Sequence, residues 1–327
     1  MCVNGALGIV KVEGRVRLGI SSCLLGNAVR WNSGHKLDRY LTLTLGQFVD
    51  YVPVCPEVEA GFGIPRESMR LVGDPESPRL VTFKTKTDKT EQMLRWARKR
   101  VKELEKEDLH GFIFKSDSPS SGMIRVKVYT EKGMPVKQGV GMFAREFMSH
   151  FPLIPAEDDG RLHDPKIREN FIERIFSLRR WRQTVDNGRN MGNLVDFHTR
   201  NKLLILSHSP KHYKEMGKLV AEGKRMPMKD LYAQYETALM EALTLKTTPK
   251  KNLNVLQHLM GYFKKQLSRD EKQELLDVFD RYRHEFVPLV VPLTLINHFV
   301  RKYDQQYLKL QTYLNPHPVE LKLRTHV

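Results

Sequence analysis

The first half of the chain alternates short apolar runs with longer stretches in which apolar and charged residues mix. Five runs have the length and composition of strands, and they are residues 16–20, 51–54, 80–83, 111–114 and 126–129. Between two of them, residues 87–107 space apolar side chains at near-helical intervals, which predicts a surface helix. Because strands alternate with helices, the pattern predicts an α/β N-terminal domain with a mostly parallel sheet.

The pattern changes in the second half, where no convincing strand occurs after residue 164. Apolar residues recur there at three- and four-residue spacing in residues 167–182, 194–207, 228–245, 253–267 and 270–285. Such spacing predicts amphipathic helices that pack on one another, and hence an all-α domain. The longest apolar run, residues 286–300, is too interrupted by prolines and polar residues to span a membrane and predicts a buried helix instead.

A break between the two patterns lies at residues 152–160, which contain two prolines, an acidic cluster and a glycine. The predicted domains are therefore residues 14–155 and 161–327. The net charge of +16 is divided unevenly between them, with +4 in residues 1–160 and +12 in residues 161–327. A basic excess in one domain suggests a polyanionic partner such as RNA, and the alternative is a helical surface whose charges are merely solvated.

The three cysteines are too few for a disulfide scaffold, and the first ten residues lack the basic segment of a secretory signal. We therefore expect a reducing, cytoplasmic location, with no membrane segment and no obligate protein partner evident. The histidines of the second domain lack metal-binding spacing, so no metal site is predicted among them.

Candidate chemistry follows three of the predicted strands. Cys23 and Cys55 each come just after a strand, and a third strand leads into a polar turn at residues 115–122. The carboxyl ends of parallel strands meet at one sheet edge, so we expect these groups to share a crevice. Two thiolates, the carboxylate of Glu57 and a hydroxyl-rich loop suit a thiophilic metal centre with an acid or base beside it. The alternative is that both cysteines are small buried hydrophobic residues.

The motifs around these residues resemble a known family. Ser21-Ser-Cys-Leu-Leu-Gly26, Arg30-Trp-Asn-Ser33, Val54-Cys-Pro-Glu57 and the Lys115–Gly122 turn are similar, in this order, to motifs of the thiouracil desulfidases. Motifs of the second half, among them Asp196-Phe-His-Thr-Arg-Asn-Lys-Leu-Leu203, resemble the YbgA-like helical domain of unknown function. The fused pair is similar to the bacterial tRNA 4-thiouridine desulfidases.

The resemblance implies a 4Fe-4S cluster held by three cysteines, with one iron open to the sulfur of a thiolated pyrimidine. It implies that Glu57 activates the water that attacks C4, and that Ser118, with Ser120 close behind, donates a hydrogen bond to the substrate. From the residues alone, Glu57 also suits the first turn of a helix and Ser118 a helix N-cap.

One position departs from the family pattern. Where the resemblance implies the third cluster cysteine, this chain has Ser121, beside the expected ligands Cys23 and Cys55. A serine oxygen is a harder and much less acidic ligand than a thiolate, so a cluster tied here is expected to be less stable. Three explanations are open: an engineered substitution, ligation by serine, or loss of the cluster with RNA binding retained. Cys2 is a weaker alternative ligand.

The implied function is removal of sulfur from 4-thiouridine in tRNA, with release of hydrosulfide. Two alternatives are a desulfidase of free thiouracil or thiolated nucleotides, and a cluster-free RNA-binding protein. Trp181, Tyr213 and Tyr262 are candidates for base stacking. The candidate phosphate contacts are Arg179, Arg180, Arg182, Lys250, Lys251, Lys264 and Lys265, together with Lys211, Lys214, Lys218, Lys224 and Arg225.

Overall fold

The computed structural model describes residues 15–130 and 133–326, which divide into two compact units between Phe171 and Ile172. We call them the α/β unit and the helical unit. The prediction of an α/β domain followed by an all-α domain is confirmed. Cys2 lies outside the described residues. Within the described residues, no helix has the length and apolar character needed to cross a membrane.

The strands of the α/β unit form two sheets. The strands are β1 Val16–Ser21, β2 Val49–Val54, β3 Met69–Val72, β4 Arg79–Thr82, β5 Gly111–Phe114, β6 Val126–Tyr129, β7 Pro135–Gly139 and β8 Ala156–Asp158. The first sheet has the order β2-β1-β5-β8 and every pairing in it is parallel, as the sequence pattern predicted. The second sheet, β4-β3-β6-β7, contains two antiparallel pairings, so the runs at residues 80–83 and 126–129 belong to a separate layer.

Among the described residues, the α/β unit also has the helices α1 Pro56–Glu59, α2 Thr90–Leu104 and α3 Met142–His150. The prediction of a helix at residues 87–107 is confirmed, whereas α3, β3, β7 and β8 were missed. The segment 152–160, where the sequence patterns change, contains β8, which extends the parallel sheet beside β5.

Aromatic side chains fill the core over the parallel sheet. Phe112 and Phe114 of β5 stack with ring centroids 4.3 Å apart, and Phe143 and Phe147 of α3 pack against them. Gly19 of β1 is required by this arrangement, since a Cβ there would lie 2.2 Å from the Phe112 ring. The close packing fixes α3 against β5 and so positions the turn that follows β5.

The helical unit continues from α4 Pro165–Asp186, which runs across the division between the two units. The later helices are α5 Met191–His208, α6 Pro210–Glu222, α7 Met228–Thr244, α8 Pro249–Gly261, α9 Arg269–Arg283, α10 Val290–Lys302 and α11 Gln306–Lys309. The predicted amphipathic helices are confirmed, although the segment 253–267 ends earlier, at Gly261. The run at residues 286–300 contains α10, whose inner face is buried as predicted.

A buried ionic cluster ties the end of the chain to α4. Arg324 Nη2 lies 2.6 Å from Glu173 Oε1, and His208 Nε2 lies 3.1 Å from the other carboxylate oxygen. The side chains of Glu173 and His208 are no more than 2% exposed. Burial alone raises the pKa of Glu173, but Arg324 and His208 hold it well below its usual range. Leu323 and Arg324, near the end of the described chain, are therefore buried in the core of this unit.

Candidate active site of the α/β unit

One cavity of about 440 Å³ opens at the carboxyl edge of the parallel sheet. Cys23 lies in a 3-10 turn directly after β1, and Cys55 lies between β2 and α1. The turn after β5 supplies Ser118 and Ser121, and all four residues line the cavity. The crevice predicted from the sequence is therefore present.

Cys55 is held at the start of α1. Pro56 occupies the first helical position, where its missing N–H costs no hydrogen bond. The backbone N–H of Cys55 donates to Glu59 Oε1 at 2.8 Å. Cys55 Sγ lies 3.8 Å from both the carbonyl oxygen of Val29 and Glu57 Oε2. The thiol and the carboxylate thus face the same space.

Glu57 is positioned from two sides. Ser120 donates a hydrogen bond from its hydroxyl to Glu57 Oε1 at 2.5 Å, and Arg66 Nη2 lies 3.6 Å from Oε2. Arg66 in turn donates from Nη1 to the carbonyl oxygens of Val29 and Gly63 at 3.0 Å. Sequence reasoning missed Arg66, which lies in no recognised motif and reaches Glu57 only through the folding of the loop after α1.

The serines of the turn after β5 differ in their exposure to the cavity. Ser118 Oγ accepts hydrogen bonds from the backbone N–H groups of Ser120 and Ser121, at 3.3 and 3.1 Å. Ser120 is fully buried beside Glu57, while Ser118 lines the cavity. The hydroxyls of Ser118 and Ser120 are 3.0 Å apart, so a continuous hydrogen-bonded path links the cavity wall to the Glu57 carboxylate.

The turn itself is pinned to α3. The carbonyl oxygen of Ser120 accepts hydrogen bonds from the N–H groups of Phe143 and Ala144, at 2.9 and 3.2 Å. Gly141 makes this approach possible, since a Cβ there would lie 2.6 Å from the carbonyl carbon of Ser120. The backbone of the turn is therefore fixed by the first residues of the helix.

The cavity lining contains the three expected donors, but they differ in chemistry. Cys23, Cys55 and Ser121 line one cavity, yet the third donor is a hydroxyl that is 3% exposed. Among the described residues no group of three His, Cys, Asp or Glu side chains is arranged to hold a metal ion. The site thus offers two soft ligands and one hard one.

Both thiols resist ionisation in the metal-free protein. Burial, with the nearby charge of Glu57, raises the pKa of Cys23 to about 11 and that of Cys55 to about 12. Lys115 and Arg30 oppose the rise at Cys23. Lys115 is itself held by Asp159, whose Oδ2 lies 3.0 Å from Nζ.

The candidate RNA contacts of the helical unit differ in exposure and in their bonds to the fold. Arg180 donates to the carbonyl oxygen of Pro316 at 2.7 Å and to Ser177 Oγ at 2.9 Å, and Lys251 donates to the carbonyl oxygens of His208 and Lys246. The polar groups of Arg180 and Lys251 therefore bind the helical unit itself, which argues against phosphate contacts for these two residues. The exposed cations are Lys211, Lys214, Lys218, Lys224, Arg225, Lys250, Lys264 and Lys265, whereas Arg179 and Arg182 are partly buried.

The stacking prediction for Trp181 is wrong. Trp181 is fully buried, and its ring stacks on Tyr235 with centroids 5.0 Å apart. Its sequence neighbours are three arginines, which made a core residue look like part of a basic surface. Tyr262 is 42% exposed and Tyr213 is partly buried.

Comparison with known proteins agrees with the division into two units. The family model described as 2-thiouracil desulfurase matches residues 18–159, and a protein family of unknown function, DUF1722, matches residues 202–318. The uncharacterized protein YbgA of Escherichia coli K12 is 34% identical over 157 residues, which cover 48% of this chain and 93% of YbgA. The chain therefore belongs to the YbgA family. It carries the helical domain of that family fused to a thiouracil desulfidase-like domain.

A solved structure, that of the 4Fe-4S-dependent thiouracil desulfidase TudS, also aligns with the chain. The alignment covers 48% of this chain and 100% of TudS, with 23% identity and a TM-score of 0.39.

The thiol environment leads to a prediction for the metal-free protein. Because both thiols stay protonated at neutral pH, we expect iodoacetamide to alkylate them slowly at about pH 8 and faster as the pH approaches their raised pKa values. Cys23 is expected to react before Cys55. Glu57→Gln removes the repelling charge, so it is expected to lower both pKa values and speed alkylation at a given pH. Peptide mass spectrometry measures each rate, and equal rates in native and urea-unfolded protein would contradict this prediction.

Proposed function

We propose that the chain replaces the C4 sulfur of 4-thiouridine in tRNA by oxygen and releases hydrosulfide. The observation that carries this proposal is that one cavity is lined by Cys23, Cys55, Glu57 and Ser118, in a domain that matches the 2-thiouracil desulfurase family. Water supplies the oxygen and its protons, so the exchange of sulfur for oxygen needs no external oxidant or reductant.

The proposal includes a 4Fe-4S cluster, the cofactor named for TudS, held by Cys23, Cys55 and Ser121. When bound, such a cluster supplies a soft Lewis acid for the substrate sulfur and makes hydrosulfide a better leaving group. The two thiols would be deprotonated on binding, since thiolates are the ligands of iron.

Glu57 is proposed as the group that takes a proton from the attacking water. Its Oε2 atom lies 3.8 Å from Cys55 Sγ, and its Oε1 atom accepts the hydrogen bond from Ser120. Ser120 and Arg66 keep the carboxylate in one orientation, which general-base catalysis requires. Ser118, on the cavity wall, is proposed to turn its hydroxyl hydrogen from Ser120 to the bound substrate, and Ser120 to act as a positioning residue.

The helical unit is proposed to hold the tRNA backbone. Residues 161–327 carry a net charge of +12, and the exposed cations are distributed over α6, α8 and the segments that follow these helices. Phosphate neutralisation by such side chains is the usual source of sequence-independent RNA affinity. A second candidate function, a cluster-free RNA-binding protein, is favoured by one observation, the hydroxyl of Ser121 at the third ligand position.

Reconstituted protein is expected to release hydrosulfide from bulk tRNA while the near-ultraviolet absorbance of 4-thiouridine falls. Glu57→Gln is expected to lower the rate about 10²- to 10⁴-fold, because it removes the proton acceptor. Glu91→Gln, an exposed residue of α2, is the matched control and should leave the rate unchanged. Release from 4-thiouracil alone would support the free-base alternative, and no release from any thiolated substrate would contradict the desulfidase.

Iron analysis after anaerobic reconstitution tests the ligand set. We expect poor occupancy in the wild type and higher occupancy in Ser121→Cys, because a thiolate binds iron more tightly than an alcohol does. Ser121→Ala is the control that removes the oxygen without adding sulfur. Equal iron per chain in wild type and Ser121→Cys would argue against Ser121 as the weak ligand.

Binding of tRNA by the full chain is expected to weaken at least about a hundredfold between about 50 and 200 mM salt. Replacing Lys250, Lys264 and Lys265 by Gln should flatten the slope of log Kd against log salt, by up to about two. The same change at Lys99, Lys102 and Lys106 of the α/β unit is the control of equal charge. A flat salt dependence in the wild type would count against the RNA-binding role of the helical unit.

A further inference from the structure

The second sheet of the α/β unit has a buried side and an outer side. Leu71 and Val128 belong to a buried hydrophobic cluster that includes residues of α2. Because side chains alternate along a strand, Arg70, Lys127 and Tyr129 lie on the outer side. The outer side presents a group of residues that we call the aromatic-basic face, namely Arg70, Phe83, Lys86, Lys127, Tyr129 and Lys137.

Cations and aromatic rings alternate on the aromatic-basic face. Lys86 Nζ lies 5.1 Å from the centroid of the Phe83 ring. The guanidinium carbon of Arg70 lies 5.3 Å from the same centroid and 4.8 Å from that of Tyr129. Phe83 is 53% exposed and Tyr129 is partly buried, so the Phe83 ring in particular is open to a ligand.

The guanidinium of Arg70 is held by aromatic rings instead of carboxylates. Its Nε is buried and has no hydrogen-bond partner in the described chain. Within residues 15–130 and 133–326, Arg70 forms no ion pair and no side-chain hydrogen bond. A guanidinium stacks on rings through its faces and donates hydrogen bonds from its edge, so Arg70 can bind phosphate while it stays against Phe83 and Tyr129.

Two lysines extend the row of positive charge across the sheet. Lys127 of β6 and Lys137 of β7 are directly paired, and both are exposed. The pairing of Leu71 with Val128 places the preceding residues, Arg70 and Lys127, side by side on β3 and β6. Like charges opposite one another destabilise a sheet, and neither lysine has an ion-pair partner among the described residues. An anionic ligand would remove this repulsion.

Acidic side chains in the loops around β3 and β4 do not pair with the cations of the face. Asp88 Oδ2 lies 3.7 Å from Arg79 Nη1, and an Asp74 side-chain oxygen accepts from the backbone N–H of Glu76 at 3.0 Å. Glu67 accepts hydrogen bonds from the loop after β4. Since no described carboxylate forms an ion pair with the face, its positive charge is available to a ligand.

This combination of side chains suits a single-stranded polynucleotide. Bases stack on exposed aromatic rings, and cations between the rings contact the phosphates. In an RNA duplex the faces of the bases are covered by their neighbours, so a ring on a sheet surface can stack only on unpaired bases. An acidic protein segment would use the cations but would gain little from the rings.

We propose that the aromatic-basic face binds a single-stranded segment of RNA. A base stacks on Phe83 and a second base on the accessible part of Tyr129, while Arg70, Lys127 and Lys137 contact the phosphates. The α/β unit thereby gains its own RNA contact, in addition to the one proposed for the helical unit. That this RNA is tRNA rests on the proposed function, whereas binding to the face does not depend on the reaction in the cavity.

Fluorescence anisotropy of the metal-free full chain with a short, unmodified oligouridine tests the stacking without turnover. Phe83→Leu keeps an apolar side chain but removes the ring, so we expect it to weaken binding roughly five- to a hundredfold. Phe286→Leu, at an exposed phenylalanine of the helical unit, is the matched control and should leave the affinity unchanged. An RNA duplex of the same length should bind the wild type and Phe83→Leu equally, because paired bases cannot stack on the ring.

The salt dependence of the same binding tests the charges. Replacing both Lys127 and Lys137 by Gln should flatten the slope of log Kd against log salt by about 1.4, the contribution of two phosphate contacts to a single strand. This variant should unfold at no lower temperature than the wild type, because it removes a like-charge pair. The same change at Lys102 and Lys106, exposed cations outside the face, is the control of equal charge and should leave the slope unchanged.

Photocrosslinking shows where the RNA lies. An oligouridine that contains one 5-iodouridine is expected to crosslink to the peptides that carry Phe83 or Tyr129, as identified by mass spectrometry. Crosslinks confined to the helical unit, an unchanged oligouridine affinity in Phe83→Leu, or an equal loss of single-strand and duplex affinity in that variant would overturn the proposal. Binding of polyglutamate with the same dependence on Phe83 and the two lysines would also overturn it, in favour of an acidic protein partner.

Failure of this face and failure of the proposed function give different results. Loss of oligouridine binding in the Phe83 and lysine variants, with no hydrosulfide release by the reconstituted wild type, would overturn the desulfidase function and leave the face standing. Hydrosulfide release from thiolated tRNA by the wild type, with unchanged oligouridine affinity in all of these variants, would overturn the face and leave the proposed function standing.

Discussion

The hydrogen bond from the Ser120 hydroxyl to Glu57 is the contact on which the geometry of the cavity depends. The two residues follow β5 and β2, strands that β1 separates in the sheet. Without a direct contact, loops at that separation would be free to move independently. Two backbone bonds from α3 fix Ser120, and Glu59 fixes the start of the turn that carries Glu57. The Glu57 side of the cavity is therefore held by fixed elements, as the general-base role proposed for Glu57 requires.

In the metal-free state, the surroundings of the two cavity thiols oppose their ionisation. Two buried thiols face a carboxylate, and burial together with that negative charge keeps the thiols protonated. A bound cationic centre inverts such a preference, because it stabilises thiolates and carboxylate alike. Ser121, the proposed third ligand, does not follow this logic, since a buried hydroxyl gains far less from a cation than a thiol does. Ser121 therefore lines the cavity where a ligand is expected, but its hydroxyl is a weaker metal ligand than a thiol.

Sequence reasoning predicted the local elements better than their assembly. Hydrophobic periodicity found β1, β2, β5 and most of the helices, because each carries its own signal. It missed β8, whose three residues become a strand only by pairing with β5, more than forty positions away. For the site, the cysteines and Glu57 were found by motif and strand position, whereas Arg66 depends on loop packing that leaves no local pattern. Trp181 was misread for a similar reason, since its neighbours are basic but its face of α4 is turned inward.

The ionic cluster at Glu173 has a consequence for where the helical unit begins and ends. The family match for this unit spans residues 202–318, and both Glu173 and Arg324 lie outside it. A fragment cut to the matched range would lose the α4 carboxylate together with its arginine and leave His208 without its acidic neighbour in the interior. The smallest autonomous piece of the helical unit therefore has to include both flanks, so domain borders drawn from sequence similarity alone are too narrow for dissecting this protein.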